Sequence, residues 1–210
     1  MKIALVAPNG NIGREIAREA LQRGHSVTGL VRSARAADLP GLQLQAVDIF
    51  DPANLAAAVT GADVLASAYG PGGGDVATVG RVAASLIDAA RRSGVRRVVV
   101  VGGAGSLEVA PGVQLVDTPN FPAAYKAVAL AHREAFVALS AIADLDWTFF
   151  APAALIGPGD KRGGFRVDAR RLIVDAAGDS RISYADYATA FVDEIEQARY
   201  PREIVTVAYV

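Results

Sequence analysis

Between Lys2 and Val31 the chain passes through an apolar strand, "KIALVA", a tight turn, "PNGNIG", an amphipathic stretch from about Asn11 to Arg23, and a second apolar strand, "HSVTGLV". This unit constrains the fold more than any other feature. Two short strands separated by one helix pair parallel, and the crossover is right-handed. The pattern then repeats. "LQLQAVD" (42–48) reads as a third strand, and Asp51-Pro52 opens a helix with proline in its first turn. "DVLASA" (63–68) is a fourth strand, followed by a long helix over about 75–93. "RRVVVVGG" (96–103) is the most apolar strand, so it is expected at the sheet centre with both faces covered. A helix over about 122–142 leads to "DWTFFAP" (146–152), a late helix spans 183–198, and "EIVTVAY" (203–209) is a last strand. The expectation is an α/β fold, a doubly wound, mostly parallel sheet with helices on both faces.

Three stretches look long and irregular: 69–75, 103–122 and the glycine-rich, basic 152–171. All follow C-terminal ends of strands, the edge where open α/β sheets bind ligands. Long loops there are more often functional than loops elsewhere.

Composition narrows the chemistry. There is no cysteine, which excludes disulfides, thiolate catalysis and cysteine-ligated metals. With only His25 and His132, no multi-histidine metal site is expected. A net charge of −1 gives no reason to expect nucleic acid or an anionic membrane as partner. Arg91-Arg92 and Arg96-Arg97 bracket a helix-strand turn and read as a solvated surface. No apolar run approaches the ~20 residues of a membrane span. The N-terminal apolar run is too short for a signal peptide, so a cytoplasmic protein is expected.

The turn after the first strand is an anion site in outline. The first amides of a helix lack internal partners, and the helix dipole adds partial positive charge. Gly10 lets backbone approach a pyrophosphate, and Gly13 lets the helix pack close to the strand. Asn11, Ile12 and Gly13 supply the donors, with Ala7 and Asn9 completing the turn. Ala7 stands where such turns usually carry their first glycine; it makes the turn if its φ is negative. Pro8 removes one amide. A tight turn that binds nothing is the alternative reading.

The second strand ends "LVRSAR", with no acid before Asp38. A cofactor fold that prefers NAD usually has an acid there for the ribose hydroxyls. Arg32, beside Ser33 and with Arg35 just beyond, could instead pair with a 2′-phosphate. NADP(H) is therefore preferred, with NAD(H) as the alternative. A surface role for Arg32, or stacking on adenine, stays open. Asp48 is placed to reach the adenine end or to cap the next helix, though Asp51 is better placed for the cap. Strand ends Ala68, Tyr69 and Gly103 join the expected cofactor-binding set.

The whole chain resembles the atypical short-chain dehydrogenase/reductases, the NAD(P)H-binding, NmrA-like and biliverdin/flavin-reductase-like group. The later segments "RVVVVGGAGSLEV", "FPAAYKAVALAHREA", "LDWTFFAPAALIGPG" and "SRISYADYATAFVDEIE" are similar to a subgroup described as NADH-flavin reductases. The resemblance implies one Rossmann-type domain over 1–210, in which residues 152–210 form a small substrate-side cap. It implies that Pro152, Ala153 and Ala154 border the nicotinamide. Members range from reductases to non-catalytic redox sensors.

The wider superfamily places Tyr and Lys at Y-x-x-x-K on one helix face, where the lysine lowers the tyrosine pKa. Here lysine occurs only at 2, 126 and 161, preceded four residues earlier by Pro122 and Gly157 for the latter two. The motif is absent. Tyr125 and Lys126 are adjacent and point about 100° apart on a helix. Ser106 matches the superfamily serine by position and could hydrogen-bond a substrate carbonyl, or could cap its own loop. Lys126 could reach the cofactor ribose or lie on the helix surface. Tyr125 could donate a proton or pack the helix start. His132 reads as a packing or surface group, and Asp186 as structural.

Two functions follow. One is a reductase that passes hydride from NADPH to a small acceptor such as a flavin, quinone or carbonyl compound. The other is a non-catalytic NAD(P)(H)-binding sensor. A nucleotide-sugar epimerase is disfavoured, since it needs the missing pair and a larger substrate domain. A monomer or homodimer is expected.

Overall fold

The structure, a computed structural model, describes residues 1–33 and 37–210. In chain order it contains β1 (Lys2–Val6), α1 (Asn11–Gln22), β2 (Ser26–Val31), β3 (Gln43–Ala46), α2 (Pro52–Val59), β4 (Val64–Ser67), α3 (Thr78–Ser93) and β5 (Arg97–Val101). There follow β6 (Glu108–Ala110), β7 (Val113–Gln114), α4 (Ala123–Ser140), β8 (Asp146–Ala151), β9 (Leu155–Gly157), β10 (Phe165–Ala169), β11 (Arg181–Ser183), α5 (Tyr184–Gln197) and β12 (Glu203–Tyr209).

Eight strands form the main sheet in the order β10-β12-β8-β5-β4-β1-β2-β3. All pairs are parallel except β10 with β12. The α/β doubly wound architecture expected from the alternation is present. Strand β5 is buried at every residue and sits inside the sheet, as its unbroken apolar run requires. Two cores result. Helices α2, α3 and α4 cover one face with Leu55, Leu86 and Leu139. Helices α1 and α5 cover the other with Ile16, Tyr187 and Phe191. Asp51 caps α2 by accepting from the amides of Ala53 and Asn54 at 2.9 and 3.3 Å.

Two expectations are corrected. The stretch 152–171 is not a plain loop. It carries β9, which pairs with β11, and β10, which adds an antiparallel edge to the main sheet. An edge strand is half solvated, so Arg166 and Asp168 face outward and "FRVDA" reads as polar. The second correction is Arg97, expected on a solvated turn. It is 9% exposed and ion-paired with Glu194, which is 4% exposed. Arg91 and Arg92 do lie on the surface, paired with Asp144 and Asp88.

Candidate functional site

The turn after β1 builds its geometry from three neighbours. Pro8, Asn9 and Gly10 follow Ala7, whose carbonyl accepts from the Gly10 amide at 3.3 Å. Proline second, asparagine third and glycine fourth is a favoured β-turn order. Pro8 is buried against β2, where a Cβ on Gly29 would lie 2.6 Å from its ring. Gly29 thus makes the room that Pro8 fills. One expectation fails: Ala7 does not keep a negative φ but sits at +58°. The chain leaves β1 by a left-handed residue, a conformation that costs alanine about 1 kcal/mol or more. The turn hydrogen bond and the buried proline hold it there.

Gly13 is required by packing. A Cβ there would stand 2.1 Å from the Ala7 carbonyl oxygen. Gly10 is different, since its added Cβ meets only that oxygen, at 3.7 Å. Gly10 is the N-cap of α1 and makes no side-chain cap, and the first turn holds no acid. Among the described residues, nothing in the chain accepts from the amides of Asn11, Ile12 or Gly13. An exposed, uncapped helix start with free amides fits a pyrophosphate.

The other predicted cofactor residues share the C-terminal edge of the sheet. Arg32 and Ser33 are exposed just past β2. Arg35 lies outside the described residues. Asp48 is exposed, with one oxygen accepting from the Phe50 amide at 2.9 Å. Ala68 and Tyr69 follow β4, and the Tyr69 ring packs edge-on to Phe50 at 6.4 Å.

Beyond them, a cleft of about 830 Å³ opens at the same edge. Its walls include Gly103, Tyr125, Pro152, Ala153 and Ala154, so the structure brings these five expected residues together. It also recruits His132, Arg162 and Tyr209, which sequence reasoning missed as site residues. The signal for Tyr209 was present: β12 runs parallel to β8, so both deliver their C-terminal ends to one edge.

Two of the three catalytic candidates are turned away. Ser106 is 3% exposed, its Oγ has no partner, and it lies behind the wall formed by Gly103, Ala104 and Gly105. Lys126 does not lie free on the helix. Its Nζ donates to the Val116 carbonyl at 2.6 Å and so ties down the segment before α4. Tyr125 is 64% exposed at the cleft mouth.

His132 is a packing group, half-buried between the cleft and the core residues Leu86 and Phe149. It abuts Gly103, where a Cβ would come within 3.0 Å of the histidine Cβ. Burial pushes its imidazole down to about 4. The folded state therefore holds it neutral, whereas the unfolded chain takes up a proton below about pH 6.5. Stability should be unaffected by His132 above pH 6.5 and should fall as the pH drops from 6.5 toward 4, by about 3 kcal/mol at most. Urea unfolding of wild type and His132→Gln at pH 7 and pH 5 checks this. The variant should lose the extra slope, and parallel curves would refute the assignment.

Asp186 is structural, as expected. Its carboxylate accepts from the amides of Arg162 and Gly163 at 2.9 and 3.0 Å and from the Tyr209 hydroxyl at 2.7 Å. These bonds hold it below its ordinary value although burial raises it. Among the described residues, no helix is long and apolar enough to cross a membrane.

Comparison with known proteins agrees with this geometry. A family model described as NAD(P)H-binding matches residues 8–198. The uncharacterized protein YwnB of Bacillus subtilis is 37% identical over 213 residues, covering 99% of this chain and 98% of its own. A candidate exported protein from Burkholderia pseudomallei is 60% identical over the full length of both chains, with a TM-score of 0.94. A candidate NADH-flavin reductase from Streptococcus pneumoniae is 32% identical over the full length of both, with a TM-score of 0.91. The resemblance to atypical short-chain dehydrogenase/reductases is borne out, and the chain belongs to the NAD(P)H-binding family.

Proposed function

We propose that the chain is a reductase in which hydride passes from NADPH to a small acceptor held in the cleft. The observation that carries this reading is the cleft itself. It has apolar walls, a few polar groups and an opening on the strand ends that also present the phosphate turn. NADPH supplies the hydride when bound. The chain's own residues do the rest. The amides of Asn11, Ile12 and Gly13 bind the pyrophosphate, and Arg32 takes the 2′-phosphate. Gly103 and Pro152–Ala154 border the nicotinamide and exclude water from it. We take residues 1–210 as one cofactor-binding unit, with 152–210 as its substrate-side cap.

With Ser106 buried and Lys126 engaged, no paired acid-base machinery faces the cleft among the described residues. A flavin or quinone needs little proton transfer from the protein, so it suits this site better than a carbonyl compound. A carbonyl acceptor would rely on the Tyr125 hydroxyl. The similarity to a candidate NADH-flavin reductase points the same way. The same two residues also favour a second reading, a sensor that binds NADP(H) without turnover.

Steady-state oxidation of NADPH and NADH against a panel of flavins and quinones separates them. The reductase reading expects turnover, with NADPH favoured and Arg32→Glu weakening NADPH about tenfold more than NADH. Tight cofactor binding with no turnover across the panel would sink it in favour of the sensor. Equal loss of both cofactors in Arg32→Glu would remove Arg32 from the phosphate.

A further inference from the structure

We infer that Arg162 is a specificity residue at the outer cleft, and that the acceptor is a flat ring system carrying an anionic tail. The inference rests on the reductase reading for the identity of the site and adds the chemistry of its ligand.

Arg162 belongs to the segment that joins β9 to β10, the basic, glycine-rich stretch of the sequence. Loops of this kind are usually mobile, yet this one is tied at consecutive residues. The Asp160 carbonyl accepts from Ser183 Oγ at 3.2 Å. Lys161 Nζ donates to both carboxylate oxygens of Glu19 on α1, at 2.9 and 2.8 Å. The amides of Arg162 and Gly163 go to Asp186. Gly163 and Gly164, at φ of 67° and 65°, then turn the chain into β10. These ties fix the backbone of Arg162 while leaving its side chain unused.

That side chain lies over the Tyr209 ring, with Cζ 4.3 Å from the centroid. A ring face holds a cation without consuming its N–H donors. Both residues line the cleft. Among the described residues, no acidic side chain pairs with the Arg162 guanidinium. Its surroundings are otherwise accounted for. Arg181, the other cleft arginine, pairs with Asp179. Asp186 already accepts from four donors other than a cation, the amides of Arg162 and Gly163 and the hydroxyls of Tyr209 and Ser183. Among the described residues, Asp160 is the one carboxylate on the cleft wall, and it opposes an anion. A seated guanidinium with its fork free matches a phosphate monoester or a carboxylate. The inner walls, with Gly103, Phe121, Pro122 and Ala153, suit a flat apolar body.

Riboflavin and FMN share one ring system and differ by the phosphate, so they test this directly. Equilibrium binding is read by quenching of flavin fluorescence. Wild type should bind FMN about tenfold tighter than riboflavin. Arg162→Gln should collapse that preference to about one, and Asp160→Asn should enlarge it. A flavin bearing a carboxylate in place of the phosphate tells which anion the fork prefers. Thermal melting checks that each variant folds, and Arg162→Lys, which keeps charge but not the fork, should give a preference between the two.

Equal binding of FMN and riboflavin by wild type overturns the inference. So does an Arg162→Gln that weakens both alike, or failure of either flavin to bind. Binding and turnover fail separately. Arg162-dependent FMN binding without NADPH oxidation defeats only the reductase reading. Equal turnover and equal affinity for both flavins defeats the role of Arg162 and the anionic tail together, and leaves the reductase reading standing.

Discussion

Gly13→Ala is expected to destabilise the protein by about 2–3 kcal/mol and to weaken NADPH binding at least a hundredfold. The added methyl would stand 2.1 Å from the Ala7 carbonyl oxygen, and backbone cannot yield as a flexible side chain does. That carbonyl also accepts from the Gly10 amide. Moving it disturbs the turn and shifts the amides of Asn11 and Ile12 from a bound pyrophosphate. Gly10→Ala is the matched control. Its methyl meets the same oxygen only at 3.7 Å, so the loss should be that of a poorer N-cap alone, about 1 kcal/mol. NADPH binding should still fall, because the methyl occupies the approach to the turn. Calorimetric titration and thermal melting of both variants read the two effects apart. A stable Gly13→Ala with normal affinity would show that α1 does not depend on this close approach.

Glu194→Ala should cost about 3–5 kcal/mol, a melting decrease of about 10 °C for a chain of this size. The Arg97 guanidinium lies at the sheet edge opposite the cleft. It donates to the Asp146 carbonyl at 2.9 Å, to Thr148 Oγ1 at 2.8 Å and to Glu194 Oε1 at 2.7 Å. Burial lowers its pKa in spite of Glu194, so a large part of the attraction goes to offsetting desolvation. Removing the carboxylate alone leaves a buried cation unpaired. Arg97→Met with Glu194→Gln should recover part of the loss, since the glutamine oxygen still accepts from one of the two amides, Arg199 or Tyr200, that the carboxylate oxygens hold separately. Denaturant unfolding measures both. A double variant no better than Glu194→Ala would show a net favourable pair. NADPH affinity should be untouched throughout, because the network is far from the phosphate turn.

Much of this protein is legible without coordinates. Strand and helix periods are local, so β1, α1, β2 and β12 fall within a residue or two of their expected limits. Gly13 and the free amides of Asn11, Ile12 and Gly13 are legible for the same reason. A turn's chemistry lies in six or seven adjacent residues. Asp51 as a cap belongs to this group too. The edge strand β10 was harder, because half its side chains face water and its pairing partner lies some forty residues away in sequence.

The chain's sequence by itself determined the sheet, its direction and the position of an anion-binding turn, because each follows from residues close enough to interact along one element. Only the tertiary structure decided which side chains face the cleft. It buried Ser106, drew Lys126 to a carbonyl, closed Arg97 under α5 and set Arg162 on the Tyr209 ring. It also put Ala7 at positive φ, through a proline that packs on a glycine of the next strand. The direction of a side chain depends on what the opposing element leaves open. That opposing element is brought in by packing across the sheet, which no local period encodes.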